Sequence, residues 1–149
     1  MGRDNKSIES KQKHDIEGVC AGALASQYQK ERVEAICQEL ELKLVAPMWS
    51  MDPEQYMRAL LLDSFEIIIV GVAAEGLNES FLGRKIDRNV IEDFKKTQIH
   101  IAGEGGEYET FVLDCPLFKK KLEVWKANPL MENEYTGKLL IEEVQVLKK

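Results

Sequence analysis

Residues 65–72 read FEIIIVGV, and this stretch decides how the fold is interpreted. It is a continuous apolar run with many β-branched residues, which is typical of a strand covered on both faces. Two further apolar runs precede it, at residues 16–23 and 42–46. Helical patterns separate the three runs and are long enough to connect parallel strands. Residues 16–72 therefore predict a β-α-β-α-β unit with a parallel sheet.

Two helices are predicted between these strands. The first follows a capping box formed by Ser26 and Gln29. The second begins at Asp52-Pro53, because aspartate is a good N-cap and proline suits the first helical turn. Apolar side chains recur on one face of each helix. These are Val33, Ile36, Cys37 and Leu40 in the first helix, and Tyr56, Met57, Leu60 and Leu61 in the second.

The pattern changes after residue 72. Asp87 predicts the cap of a short helix that reaches Lys96 and turns Val90, Ile91 and Phe94 inward. Strands are predicted at 99–102, 107–113, 122–125 and 139–146, the last two joined by a loop with Pro129, Asn133 and Gly137.

Three segments follow from these patterns: a polar lead-in over 1–14, part of a parallel α/β domain over 15–74, and a small α+β domain over 75–149. The parallel sheet is incomplete, because open sheets of this kind usually have more than three strands.

Composition excludes several classes of protein. The 149 residues are 44% hydrophobic and 31% charged, which is typical of a globular protein and not of a disordered one. The net charge of −6 argues against a dedicated nucleic-acid binder. The longest apolar run is far shorter than the ~20 residues of a membrane helix, and no signal-peptide pattern is present. Cys20, Cys37 and Cys115 have no disulfide or zinc spacing and predict reduced thiols in the cytoplasm.

The densest group of candidate functional residues is GEGGEYET at 103–110. Glu104, Glu107 and Glu109 stand beside glycines, which let the backbone approach a ligand closely. If the strand includes Glu107, then Glu107 and Glu109 lie on one face of it. Clustered carboxylates suit Mg²⁺ binding, a cation such as ammonium, or general-base catalysis. The alternative is a glycine turn that leads into an edge strand with solvated charges.

A second candidate is GALAS at 22–26, between a predicted strand and a helix. In α/β folds, ligands bind at the carboxyl ends of strands, and helix N-termini attract phosphate. Arg32 would add positive charge there, although an ordinary capped junction fits the same spacing. Residues 71–76 have the glycine spacing of a Walker A loop, but Leu77-Asn78 replace its lysine and hydroxyl residue and exclude that motif.

Three further residues are considered as functional candidates. The first two have two interpretations each, and the third is not expected to be a nucleophile. Arg84 would bind a phosphate or carboxylate in a cleft, or is a surface arginine. Trp49 is a cleft wall or a core residue. Cys115 has no nearby histidine, so a nucleophilic role is not expected.

Together these motifs resemble the diphthine–ammonia ligase family, which consists of PP-loop ATP pyrophosphatases with an adenine-nucleotide α-hydrolase-like fold. The resemblance rests on GALASQYQ at 22–29, APMW at 46–49, and Gly76-Leu77 with LGR at 82–84. It is strongest in GEGGEYETFVLDCPLF at 103–118, and it extends from about residue 15 to the C-terminus. It implies an incomplete three-layer α/β sheet followed by the small α+β domain.

The resemblance also implies an activity in diphthamide biosynthesis in the cytoplasm. ATP, with Mg²⁺, would activate the diphthine carboxylate of translation elongation factor 2 as an acyl-adenylate. Ammonia would then displace AMP to form the amide. The implied partners are the elongation factor and ammonium, with no nucleic acid and no membrane.

Site residues are assigned on the same basis. Glu104, Glu107 and Glu109 belong to the ammonia side or to a metal, with Glu107 and Glu109 as candidate Mg²⁺ ligands. The nucleotide side comprises Gly22, Ala23, Ser26, Arg32 and Arg84. The substrate cleft comprises Trp49, Gly105, Gly106, Tyr108 and Asp114.

The sequence departs from the family pattern in two ways. The Ser-Gly-Gly-Lys-Asp-Ser loop that cradles the ATP phosphates is not found, nor is roughly the first third of the pattern. Ser64 also stands where the pattern predicts a glycine after a helix. We therefore expect a ligase portion that needs a companion chain with that loop, or a homo-oligomer. A non-catalytic, protein-binding remnant is the alternative, and a generic Mg²⁺-dependent nucleotide hydrolase is a third.

Overall fold

The computed structural model describes Lys13, residues 16–22 and residues 27–149. The described residues divide into two compact units, and the boundary along the chain lies between Met51 and Asp52. The helices and strands are β1 (Gly18–Cys20), α1 (Gln27–Glu39), β2 (Lys43–Val45), α2 (Pro53–Leu62), β3 (Glu66–Ala73), a 3-10 helix (Glu79–Phe81), α3 (Arg88–Phe94), β4 (Tyr108–Asp114), β5 (Lys120–Met131) and β6 (Thr136–Lys148).

The first unit contains the predicted parallel pair of strands. β1 and β2 run in parallel, with Gly18 opposite Lys43, and α1 connects them. Cys37 lies buried on the apolar face predicted for α1. After α1 the N–H of Leu42 donates to the Cys37 carbonyl at 2.8 Å, and Glu41 has a φ of 52°, so the chain reverses directly into β2. The capping box predicted at Ser26 lies outside the described residues.

The second unit is built on a four-stranded antiparallel sheet with the order β4-β3-β6-β5. β3 pairs with β4 along most of its length and with β6 only at residues 71–73. The segment 83–86 covers the remaining part of that edge, where the Gly83 N–H donates to Ile69 at 2.8 Å and the Ile86 N–H donates to Ile67 at 2.8 Å. β3 is therefore an inner strand of the sheet with pairing on both edges.

The prediction that β3 is a third parallel strand is wrong. Its continuous apolar pattern reports burial on both faces, which a central strand has in either kind of sheet. Here α2, α3 and the 3-10 helix supply much of the covering core, including Met57, Phe81, Val90, Ile91 and Phe94. The described part of the chain thus has a mixed α/β fold with one parallel and one antiparallel sheet.

Both N-caps predicted in this unit are confirmed. Asp52 accepts the Gln55 N–H at 2.9 Å at the start of α2, with Pro53 in its first turn. Asp87 accepts the Val90 N–H at 2.8 Å at the start of α3. At the end of α2, Ser64 has a φ of 62°, the left-handed conformation for which a glycine was expected.

The remaining strand predictions need correction. Residues 99–102 form turns, not a strand, and Ile99, Ile101 and Ala102 pack against the core from there. The predicted strand at 107–113 is confirmed as β4, shifted by one residue. β5 and β6 are much longer than predicted, so Pro129 and Gly137 lie within the strands and not in the loop.

The boundary between the compact units lies after Met51, whereas the sequence suggests a division after residue 74. The reason is that β3 pairs with strands that follow it, which places residues 52–74 in the second unit. The functional meaning assigned to the segments 15–74 and 75–149 stays a prediction. No helix among the described residues is long and apolar enough to cross a membrane.

Candidate functional site

The acidic glycine loop, residues 99–107, connects α3 to β4 through two tight turns. The Gly103 N–H donates to the His100 carbonyl at 2.8 Å, and the Gly106 N–H donates to the Gly103 carbonyl at 3.1 Å. Gly103 has a φ of 69° and Gly106 a φ of 83°, which side chains rarely allow. The loop is therefore shaped by its glycines.

Tyr108 anchors this loop to the core of the second unit. Its hydroxyl donates to the Ile101 carbonyl at 2.5 Å, and its ring stacks on Phe94 with centroids 4.7 Å apart. Burial raises the pKa of Tyr108 well above its usual range, so the hydroxyl keeps its proton and stays a donor. Tyr108 thus supports the loop and also lines a cavity of about 480 Å³, and its predicted place in the substrate cleft stays a prediction.

Glu107 turns its carboxylate back onto the same loop. Its Oε1 accepts the His100 N–H at 2.9 Å, and its own carbonyl accepts the Ala73 N–H at 2.8 Å. Burial raises the pKa of Glu107, but the nearby N–H groups of His100, Glu107 and Gly105 outweigh it and hold the pKa below its ordinary value. The carboxylate is therefore held in its charged form.

Glu104 and Glu109 are exposed, in contrast to Glu107. Glu109 lies on β4 directly opposite Gly71 of β3. A methyl group at Gly71 would come within 3.4 Å of the Glu109 Oε2, so the missing side chain makes room for that carboxylate. The Glu104 N–H lies 3.4 Å from the His100 Nδ1.

The structure does not place Glu107 and Glu109 on one surface. Glu107 lines a cavity of about 380 Å³ together with Gly76, Lys96 and Thr97. Glu109 lines a separate cavity of about 480 Å³ with Tyr56, Gly103 and Thr110 among others. The shared face expected from strand alternation fails because β4 begins only at Tyr108. A role of the two carboxylates as Mg²⁺ ligands stays a prediction.

In the described part of the chain, no group of three or more histidine, cysteine or acidic side chains is arranged to hold a metal ion. Mg²⁺ bound through substrate phosphates and water needs only one or two protein carboxylates. The metal assignment therefore stays a prediction.

A third cavity, of about 280 Å³, lies in the first unit where β1 and β2 end. Ala21 and Gly22 follow β1, Ala46 follows β2, and Trp49 closes one side. The Lys30 ammonium lies 4.6 Å from the Trp49 ring centroid, a cation–π contact. The cavity thus offers an aromatic wall and the Lys30 ammonium, which also pairs with Glu34 at 3.5 Å, at the carboxyl ends of parallel strands.

The predicted nucleotide-binding residues are found in different surroundings. Gly22 lines the first-unit cavity, whereas Ala23 and Ser26 lie outside the described residues. Arg32 is exposed, and its guanidinium donates to the Tyr28 hydroxyl at 2.8 Å. Arg84, in the second unit, donates to Asp93 at 2.8 Å and lies 5.0 Å from the Phe81 ring centroid.

The remaining substrate-cleft candidates belong to the second unit. Gly105 lies against the Glu107 carboxylate and Gly106 forms part of the loop turn. Asp114, at the end of β4, forms an ion pair with Lys149 at 2.6 Å. These contacts show where the residues lie and do not test their roles.

Two residues at these sites were missed by the sequence analysis. Lys30 precedes the cavity residue Val33 by one helical turn, so helical spacing could have indicated it. Within the loop, His100 contacts Glu107 through its backbone N–H and Glu104 through its ring. No local sequence pattern indicated a role for His100, because its contacts form only where the loop turns back on itself.

Comparisons with known proteins match both parts of the chain. A family described as "Diphthamide synthase C-terminal domain" matches residues 52–147, and one described as "Diphthamide synthase N-terminal domain" matches residues 3–44. The division between the two matches falls close to the boundary between the compact units.

Relatives named diphthine–ammonia ligase share this similarity. The protein of Rattus norvegicus is 46% identical over 118 residues, which is 76% of this chain and 44% of the relative. Mus musculus and Homo sapiens proteins are 42% and 44% identical, covering 83% and 76% of this chain, and 48% and 44% of their own lengths. The chain thus spans about half the length of these relatives. With one family model matching well over half of its residues, the chain belongs to the diphthamide synthase family.

Proposed function

We propose that this chain takes part in the ATP-dependent amidation of diphthine on translation elongation factor 2, which yields diphthamide. The observation that carries the proposal is the acidic glycine loop, which Tyr108 anchors to the core. Two exposed carboxylates accompany it, Glu104 within the loop and Glu109 on the strand that follows. Family membership supplies the reaction class, because the matched relatives are named diphthine–ammonia ligase. The proposed location is the cytoplasm.

The reaction has two steps. A diphthine carboxylate oxygen attacks the α-phosphorus of ATP, the acyl-adenylate forms, and pyrophosphate leaves. The nitrogen of ammonia then attacks the acyl carbon, and AMP leaves as the amide forms. A carboxylate on the acidic loop would hold ammonium by charge and accept the proton that the nitrogen must lose.

Cavity residues of the first unit fit a nucleotide. A flat base would stack on Trp49, the Lys30 ammonium would meet a phosphate, and the backbone after β1 at Gly22 is free of a side chain. Bound Mg²⁺ would neutralise phosphate charge. Ser26, Ala23, Arg32 and Arg84 remain proposed nucleotide-side residues.

A companion polypeptide is part of the proposal. Within the described residues, β1 and β2 are three residues each and form a two-stranded sheet, which is small for a parallel α/β domain. A second chain carrying the Ser-Gly-Gly-Lys-Asp-Ser loop would extend this sheet and supply phosphate-binding groups. A homo-oligomer is the alternative arrangement, which would extend the sheet without supplying that loop.

A non-catalytic, protein-binding role is the second candidate. The observation that favours it is the apolar surface of the β5–β6 hairpin, where Trp125, Leu130, Leu140 and Val146 are exposed. In that case the chain would bind the elongation factor without using ATP. A generic nucleotide hydrolase is the third candidate.

ATP–pyrophosphate exchange distinguishes these functions. The full chain is assayed alone and together with a polypeptide carrying the loop, with diphthine-bearing elongation factor as substrate. Exchange that requires the companion supports the split ligase. Binding of the elongation factor, measured by calorimetry and unaffected by ATP with or without the companion, would instead support the protein-binding role. ATP hydrolysis without dependence on the elongation factor would support the hydrolase.

A further inference from the structure

The three candidate glutamates in and beside the acidic glycine loop have different environments in the structure. Glu104 and Glu109 are exposed, whereas Glu107 points back into its own loop. The sequence assigned all three to the ammonia side, but their side chains differ in exposure and in direction.

One carboxylate oxygen of Glu107 is engaged within the loop, and the other is buried. Oε1 accepts the His100 N–H at 2.9 Å. Oε2 is buried away from solvent and has no hydrogen-bond partner within residues 27–149. A general base must lie within hydrogen-bond reach of the proton it removes, and an oxygen that no water reaches does not meet this condition.

The same carboxylate connects both ends of the loop. It holds His100 at the beginning, while the backbone of Glu107 is fixed to β3 through the Ala73 N–H. A side chain at Gly105 would come within 2.5 Å of Oε1, so the loop closes tightly around this oxygen. A charged acceptor on backbone N–H groups is a strong anchor.

We propose that Glu107 is a positioning residue, which closes the acidic loop through the His100 N–H, and that the reacting carboxylates are those of Glu104 and Glu109. The division of roles rests on the proposed ligase function, but the anchoring itself does not. Two conservative variants distinguish the effect of the length of the Glu107 side chain from the effect of its charge. Glu107→Gln keeps the length and an acceptor oxygen for His100, and its amide nitrogen takes the place of the unpartnered Oε2. Glu107→Asp keeps the charge but is one methylene too short.

Amide hydrogen exchange at His100, followed by NMR on the full chain, tests the anchor without any activity. We expect exchange in Glu107→Asp to accelerate on the order of tenfold relative to the wild type, with a smaller change in Glu107→Gln. Glu104→Gln and Glu109→Gln are the matched controls and should leave it unchanged. Unaltered exchange in Glu107→Asp would overturn the proposal.

Amidation kinetics, in whichever assembly is active, test the division of roles. Glu107→Gln should keep more kcat than Glu107→Asp, whereas Glu104→Gln or Glu109→Gln should lose most of it. If Glu107→Asp is the more active of the two, charge matters more than reach and Glu107 is a reacting group. If no assembly of the wild-type chain forms the amide, the ligase function fails, while the exchange result at His100 still decides the anchor.

Discussion

The ring of Tyr108 lies directly against Gly103, so a Cβ at position 103 would be 3.0 Å from the Tyr108 Cζ. Gly103 also has a φ of 69°. We expect Gly103→Ala to destabilise the second unit by about 1–3 kcal/mol, through the left-handed backbone and the contact with the ring together. Thermal or urea unfolding measures this change.

Gly106→Ala is the matched control for that substitution. Gly106 has a φ of 83°, but no atom lies within 4 Å of a Cβ built there. It should therefore show the backbone cost alone. Equal losses of stability for the two variants would mean that the ring contact at Gly103 contributes nothing.

Replacing Ser64 by glycine should stabilise the chain. Ser64 ends α2 with a φ of 62°, and the next N–H, of Phe65, donates to the Leu60 carbonyl at 3.0 Å, which is a Schellman motif. Since a left-handed conformation costs a non-glycine residue about 1–2 kcal/mol, Ser64→Gly should raise the free energy of unfolding by ~1 kcal/mol. Ser64→Ala, the control, should give no such gain in urea denaturation.

The N-cap of α3 gives a further test. Asp87→Ala removes the acceptor of the Val90 N–H and should destabilise by ~1 kcal/mol. Asp87→Asn keeps an acceptor of the same reach and should lose much less. A loss of similar size in both variants, measured by denaturant unfolding, would show that the charge and not the cap is what matters.

Acid should weaken the second unit partly through Glu66. Its carboxylate bonds to Lys121 and to Lys85, the latter at 2.8 Å, and these contacts hold the pKa of Glu66 below its ordinary value. A lowered pKa in the folded state stabilises above the unfolded pKa of about 4.3, and this contribution is lost as pH falls through the folded pKa.

We therefore expect Glu66→Gln to be less stable than the wild type at pH 7, with the difference shrinking below about pH 4. Urea unfolding at several pH values measures it. A difference that stays constant between pH 7 and pH 3 would contradict this account. Added salt at pH 7 should reduce the difference too, because these side chains are partly exposed.

ATP should change the fluorescence of Trp49 if the first-unit cavity binds the nucleotide. The chain has two tryptophans, so Trp125→Phe leaves Trp49 as the reporter. Lys30→Met should weaken the ATP-dependent change more than Arg32→Met, because Lys30 contacts the Trp49 ring whereas Arg32 bonds to Tyr28. A stronger effect of Arg32→Met would favour the assignment made from the sequence.

Sequence rules that depend on neighbouring residues were sufficient to predict much of the secondary structure. Asp52 and Asp87 were predicted as caps because capping depends on residues within one helical turn. The pairing of β3 was not predictable in the same way, because an apolar run reports burial and not the direction of its neighbours. Those neighbours come from β4 and from β6, far along the chain.

The residues of the candidate loop could be selected from the sequence, whereas the direction of their side chains could not. The acidic loop stood out because three glutamates and three glycines fall within residues 103–109. Strand alternation placed Glu107 beside Glu109, but the side chain of Glu107 follows the loop and reaches back to His100. That contact depends on a turn between the two residues, which alternation does not describe.

The late pairing of β3 with β6 has a consequence for synthesis on the ribosome. Gly71 pairs with Lys138, so one end of this apolar strand keeps an open edge until nearly the whole chain has emerged. Open apolar edges pair with other chains. We expect the yield of folded protein to depend on chaperone capacity and growth temperature, and a release of the nascent chain before residue 136 to produce aggregates.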